Sequence, residues 1–241
     1  MADAAVSDLE KLSQADNYHR WLLEQVAPAM GRRVLEVGAG IGNYTRLLLD
    51  AELLVCVEPH AEAAAVLRRR FGAHGNAIVE QADICDGGLR RLAAHRCDTA
   101  LCFNVLEHID DHVAALRNIG RILVPGGRLL LIVPALPVLF GTIDRLVGHY
   151  RRYLPGTLRA ALAAADYDVE QLRWMNLFGV LPWFINNRVL RRKEESTGQI
   201  RFFDRYVVPC VRWLERRVPP PVGMSLVAVA ATRKAAIRRA A

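Results

Sequence analysis

Short apolar runs alternate with amphipathic stretches through the first half of the chain. Arg33 to Val37, Leu53 to Glu58, Ala77 to Gln81, Cys97 to Asn104 and Arg128 to Val133 read as strands, most of them apolar almost throughout. Asn43 to Asp50, His60 to Phe71, Leu89 to Ala94 and Asp111 to Leu123 carry helical spacing, with Asp110 as the expected cap of the last. Pro125-Gly126-Gly127 is a turn. Strands that alternate with helices in this way predict an α/β fold, a largely parallel sheet covered on both faces.

The rhythm breaks after Pro134. A helix (Pro155 to Ala165) and a strand (Val169 to Trp174) resume it, and Ser225 to Ala231 reads as a final strand. Two stretches without clear period, near 134–154 and 176–221, interrupt the pattern and are expected to cap the sheet. Specificity is usually carried by such loops on a constant scaffold. A helical segment, 8–29, precedes the first strand. The length, 241 residues, suits a single domain over 1–241.

Composition narrows the class. The net charge of +7 comes from arginine clusters, among them Arg68 to Arg70, Arg151-Arg152, Arg191-Arg192-Lys193 and Arg216-Arg217. Such clusters suit an anionic partner or solvated helix faces, and the second reading is preferred for Arg68 to Arg70. Five cysteines without Cys-x-x-Cys spacing point to free thiols in a reducing, cytoplasmic setting. Met1 to Asp8 lack the pattern of a secretory leader. The longest apolar run, Leu129 to Phe140, is too short to span a bilayer and contains two prolines. Peripheral membrane contact by the arginine- and aromatic-rich stretch Arg201 to Val218 stays open but is not favoured over packing of a cap.

The candidate chemistry begins at Val34-Leu35-Glu36-Val37-Gly38-Ala39-Gly40-Ile41-Gly42-Asn43. A strand ends in an acid and a glycine-rich turn follows. Gly38 permits a tight turn and Gly40 lets backbone approach a ligand. The spacing differs from the dinucleotide pattern because Asn43 stands where the last glycine would be. Glu58 closes the second strand, where an acid holds ribose hydroxyls. Asp83 follows the third strand and is placed to accept from an adenine amino group. Asn104-Val105-Leu106-Glu107-His108 follows the fourth, at the carboxyl edge where open α/β sheets bind ligands.

These pieces (LEVGAGIGNYT, VCVEP, QADI, CFNVLEHIDD and LVPGGRLLLIVP), in this order over residues 33 to 134, resemble class I S-adenosylmethionine (SAM)-dependent methyltransferases. The resemblance implies a Rossmann-like fold, a seven-stranded, mostly parallel sheet with an antiparallel last strand, plus the cap insertions. It implies that Glu36 and Gly38 to Gly42, with Ala39 and Gly40 at the centre, line the methionine part of SAM, next to Asn43. It places Glu58, followed by Pro59, on the ribose, Asp83 and Ile84 around the adenine, and Asn104 and Val105 beside the cofactor. In this family a helix such as the one holding Tyr18 lies over the cofactor, which puts the Tyr18 ring near the carboxylate or sulfonium. The expected reaction is methyl transfer to an oxygen, nitrogen or carbon of a small-molecule acceptor, anionic or hydrophobic, with S-adenosylhomocysteine as product. The alternatives are a catalytically silent SAM-binding regulator and a SAM-dependent transfer or cyclisation of another kind.

Two absences argue against a nucleic-acid substrate. Neither an Asp/Asn-Pro-Pro-aromatic motif nor Pro-Cys follows the fourth strand. Beyond the cofactor, Gly148-His149-Tyr150-Arg151-Arg152-Tyr153 resembles a block of a bacterial type 11/type 12 branch. Here His149 is the candidate base, with Asp144 orienting it and Tyr153 nearby. Tyr150, Arg151 and Arg152 are candidates for holding the substrate. An equal reading makes Asp144 and the arginines structural ion pairs. His108 is a second candidate, facing the methyl donor or capping the next helix. No metal site is expected, because no second histidine stands at ligand spacing from Glu107-His108.

Overall fold

The computed structural model describes residues 6, 9–190 and 197–233. Its strands are β1 (Arg33–Val37), β2 (Leu53–Glu58), β3 (Ala77–Gln81), β4 (Thr99–Phe103), β5 (Arg128–Pro134), β6 (Tyr167–Met175) and β7 (Ser225–Thr232). They form one sheet in the order β3-β2-β1-β4-β5-β7-β6. Neighbours from β3 to β5 run parallel, and β7 lies antiparallel between β5 and β6. The expected seven-stranded sheet with a reversed last strand is therefore present.

Among the described residues the helices are α1 (Asp16–Glu24), α2 (Ala61–Phe71), α3 (His112–Ile122), α4 (Thr142–Leu146), α5 (Pro155–Ala164), α6 (Val180–Phe184), α7 (Thr197–Phe202) and α8 (Val208–Glu215). Successive strand residues point to opposite faces. Leu35, Val55, Cys102 and Leu131 pack beneath Leu116 and Ile119 of α3 and Leu158 and Leu162 of α5. Val34, Leu54, Leu101 and Leu130 pack on the other face against Trp21 of α1, Leu67 of α2 and Val208 of α8. Both faces are buried, which is why the strands read as apolar runs.

Several local expectations are corrected. Asn43 to Asp50 is not an α-helix; it holds a 3-10 turn at Thr45–Leu47. The Thr45 hydroxyl is drawn to Glu36 at 2.7 Å, and the Tyr44 ring stands edge-on between His19 and Phe103. Those tertiary contacts override local helix propensity. The cap of α3 is Asp111, whose carboxylate accepts from Ala114 N at 2.9 Å, whereas Asp110 receives Arg151. The segment 8–29 is interrupted: a turn precedes α1, and a 3-10 turn at Ala27–Ala29 follows it.

The second insertion reaches back to the N-terminal helix. Asp204, in a π turn at Phe203–Val207, accepts from the backbone N–H groups of Asn17 (3.2 Å) and Tyr18 (2.8 Å). The first turn of α1 is thus capped by a side chain far away in sequence. Arg212 and Arg216 hold Glu24 at the other end of the same helix.

All five cysteines are free, and Cys56, Cys97 and Cys102 are buried. No helix among the described residues is long and apolar enough to cross a membrane. The Arg191-Arg192-Lys193 cluster, the tail after Arg233 and most of Met1 to Asp8 lie outside the described residues.

Candidate active site

The parallel register sets the site. Val37 of β1 lies opposite Val57 of β2 and Cys102 of β4, so the turns after these strands open at one edge. Gly38 has φ +69°, a left-handed backbone that favours glycine, and a Cβ there would meet Val105 Cγ2 at 2.4 Å. The glycine turn and the loop after β4 are therefore in close contact. Ala39 is buried behind this turn, and Asn43 donates to the Leu9 carbonyl at 3.1 Å. Glu58, at the end of β2, accepts from Gly40 N and His60 N, each at 2.9 Å. Each of its oxygens keeps a further lone pair, which fits two ribose hydroxyls. Pro59 is exposed beside it. After β3, Asp83 is exposed and accepts from Cys85 N at 2.8 Å, with Ile84 buried behind it. Asn104 is exposed, with φ +53°, and Val105 is half-buried.

Glu36 is the most perturbed acid of this turn. Burial raises its pKa from 4.5 to about 7, against hydrogen bonds from Thr45 and Cys56, and the charge of Glu58 adds to the rise. Its Oε1 is buried without a hydrogen-bond partner. An unpartnered oxygen here fits the ammonium of a methionine moiety. A bound ammonium favours the ionised carboxylate, so binding releases a proton wherever free Glu36 is still protonated. SAM affinity is therefore expected to rise from pH 5 to pH 7. The window closes where the ligand's own α-amino group titrates, near ~7.7–8.0. Calorimetry in buffers of different ionisation heat measures the proton, and Glu36→Gln should abolish the dependence.

The insertion after β5 returns to the same edge. Tyr150 N donates to the Glu107 carbonyl at 2.8 Å. His149 is held at Nδ1 by Asp144 Oδ1, 2.9 Å away. Its ring meets His108 edge to face at 4.5 Å between centroids, and its Nε2 lies 3.9 Å from Glu107 Oε1. Asp144 is fully buried and also accepts from Arg152 Nε (2.8 Å), Asn187 Nδ2 (2.8 Å) and Gly141 N (3.0 Å). Burial alone would raise its pKa. The hydrogen bonds from His149, Arg152 and Asn187, with the charge of Arg152, outweigh it and hold the carboxylate at about 2. Burial lifts Glu107 to about 8, and burial together with the charge of His149 lowers His108 to about 4.

Tyr153, Arg152 and Arg151 are engaged within the protein. Tyr153 is 1% exposed, with its hydroxyl 3.4 Å from the Leu106 carbonyl and its ring against His112; it is a packing residue. Arg152 is buried between Asp144, the Ala135 carbonyl and the face of Trp183, so it offers no open guanidinium to a substrate. Arg151 bonds Asp110 and His112. Tyr150 is 58% exposed. Tyr18 is half-buried, edge-on to Trp21.

Sequence reasoning passed over Tyr44 and Asn187. Burial raises the Tyr44 pKa, and the charges of Tyr18, Glu36 and Glu107 raise it further. Its position two residues after Gly42 was the available signal. Asn187 sits in a π turn, Ile185–Val189, and ties Asp144 to the Leu139 carbonyl and Ile143 N. Nothing in its local sequence marked it.

A glycine turn, an acid closing β2 and a polar loop after β4, on this strand order, define a class I methyltransferase fold. The family model described as a methyltransferase domain matches residues 9–178. The chain belongs to this family: it is a SAM-dependent methyltransferase, and its reaction is methylation of a small molecule. It is 24% identical over 183 residues to a ubiquinone biosynthesis O-methyltransferase of Paracidovorax citrulli, covering 70% of this chain and 77% of that protein. Identity to the protein of the same name in Xanthomonas oryzae pv. oryzae is 29% over 182 residues, covering 68% and 73%. Among solved structures, the N-methyltransferase NodS of Bradyrhizobium japonicum, in complex with S-adenosylhomocysteine, shares the fold with a TM-score of 0.57 at 15% identity, covering 89% of this chain and 85% of that one. The 4+2 cyclase SpnF does so with a TM-score of 0.57 at 19% identity, covering 91% and 81%.

Proposed function

We propose that the acceptor atom is a hydroxyl oxygen of a small, largely apolar molecule, and that His149 removes its proton. The observation that carries this reading is the Asp144–His149 pair. Asp144 accepts a hydrogen bond from Nδ1–H, which leaves the Nε2 lone pair directed away from it, toward Glu107. A phenol-like hydroxyl has a pKa near ~10, so it is a poor nucleophile at neutral pH unless a base assists. The relatives named O-methyltransferases support oxygen as the acceptor atom.

The surroundings favour an apolar acceptor over an anionic one. Arg152 and Arg151 are engaged within the protein. Leu146, Val147 and Tyr150, around His149, are exposed, as are Leu181, Phe184 and Ile185 of the second insertion. SAM supplies the activated methyl group. Glu58, Asp83 and the turn Gly38 to Gly42 hold it, Asn104 and Val105 flank it, and Tyr18 with α1 covers it. We read the chain as one domain, because Asp204 and Glu24 tie the second insertion to α1.

Labelled-methyl transfer from SAM to a phenol and to the aniline of the same ring tests the acceptor. Methylation of the phenol is expected. Methylation of the amine alone would overturn the oxygen reading.

A further inference from the structure

We propose that Glu107, His108 and His149 form a divalent-cation site of the zinc type. One ligand atom from each lies within 4.8 Å of the other two. Tetrahedral ligation with bonds near ~2.1 Å brings ligand atoms to about 3.4 Å of one another. A bound ion would draw the three ligand atoms together.

Three observations point to a cation. Glu107 is 1% exposed, and neither of its carboxylate oxygens has a hydrogen-bond partner. A buried carboxylate without a partner is costly, and buried charges are generally paired or bound to metal. The second observation is the outer shell. Asp144 accepts a hydrogen bond from His149 Nδ1. Metal-ligating histidines characteristically give their other ring nitrogen to a carboxylate or a carbonyl, which fixes tautomer and orientation. The third is the donor set. Two imidazoles and one carboxylate suit zinc or a similar first-row ion and leave a coordination position open, whereas magnesium prefers oxygen ligands.

The spacing rule missed this site because its second histidine arrives from the insertion after β5. The site keeps oxygen as the acceptor atom, and while the ion is bound it replaces His149 as the free base. A cation in this position takes the Nε2 lone pair, so His149 then serves as a ligand, and an acceptor hydroxyl on the open position is acidified by the ion.

The test is calorimetric titration of the chelator-treated, full-length protein with Zn²⁺ and with Mg²⁺, without SAM or acceptor. One equivalent of Zn²⁺ should bind, and Mg²⁺ far more weakly. His108→Ala and His149→Ala should each weaken Zn²⁺ by at least about 10–100-fold, the loss that even an outer-shell change produces. His74→Ala, at an exposed histidine, and Cys85→Ser with Cys210→Ser, at the two exposed thiols, should leave it unchanged. His108 is itself exposed, so its variant is expected to fold. Absence of stoichiometric Zn²⁺ binding overturns the site. So does binding that survives His108→Ala, or Mg²⁺ binding as tight as Zn²⁺. Loss of turnover in His149→Ala with no Zn²⁺ binding in the parent would leave the base and remove the metal.

Discussion

The His149→Ala protein is expected to bind SAM as tightly as the parent and to transfer methyl about 10²–10⁴-fold more slowly, the range for loss of a general base. The binding half follows from position. His149 packs against Glu107 and His108, whereas the groups proposed to hold the cofactor, Glu36, Gly38 to Gly42, Glu58 and Asp83, lie in or just after β1, β2 and β3. The rate half follows from orientation, since Asp144 fixes the ring through Nδ1. Calorimetry gives the affinity and single-turnover assays give the rate. A folded His149→Ala protein with parental turnover would return the segment to loop-fixing alone.

Asp144→Ala should be the most damaging single change for the fold. Among the described residues it removes the one carboxylate bonded to Arg152, whose side chain is 2% exposed, and leaves that charge buried. Removing one partner of a buried pair costs about 3–5 kcal/mol. It also removes the acceptor of Asn187 Nδ2 and Gly141 N, so the π turn keeps only its bonds to the Leu139 carbonyl and Ile143 N. For a chain of this size Tm falls by about 2–4 °C per kcal/mol, readable in a thermal scan. Asp144→Asn keeps the shape and one acceptor oxygen but loses the charge. It should destabilise less, while still lowering turnover because the His149 tautomer is no longer fixed. Equal Tm values for Asp144→Ala and the parent would mean that Arg152 draws its compensation from elsewhere, with Glu107 the nearest candidate.

The strands, the glycine turn and the acid at the end of β2 were legible because each follows from local rules. A strand buried on both faces must be apolar, and a chain turning sharply at φ +69° favours glycine, as at Gly38. The order of pieces from Val34 to Pro134 therefore carried both the fold and the cofactor edge. Local rules failed where distant groups decide. Thr45 is pinned by Glu36 and Tyr44 by two aromatic neighbours, so Asn43 to Asp50 gives up its helix. Arg152 looked like a substrate anchor, and only the buried Asp144 and Trp183 show it as part of the core.

The sequence alone determined the sheet and the glycine turn and strand-end acid at which we place the cofactor, since hydrophobic periodicity and turn chemistry act over a few residues. Only the tertiary structure decided what stands opposite that edge. It brought His149 to Glu107 and His108 across an intervening strand and insertion, and set Asp204 on the start of α1. Buried polar groups must find partners wherever the packed chain supplies them, and the chain supplied these from segments remote in sequence.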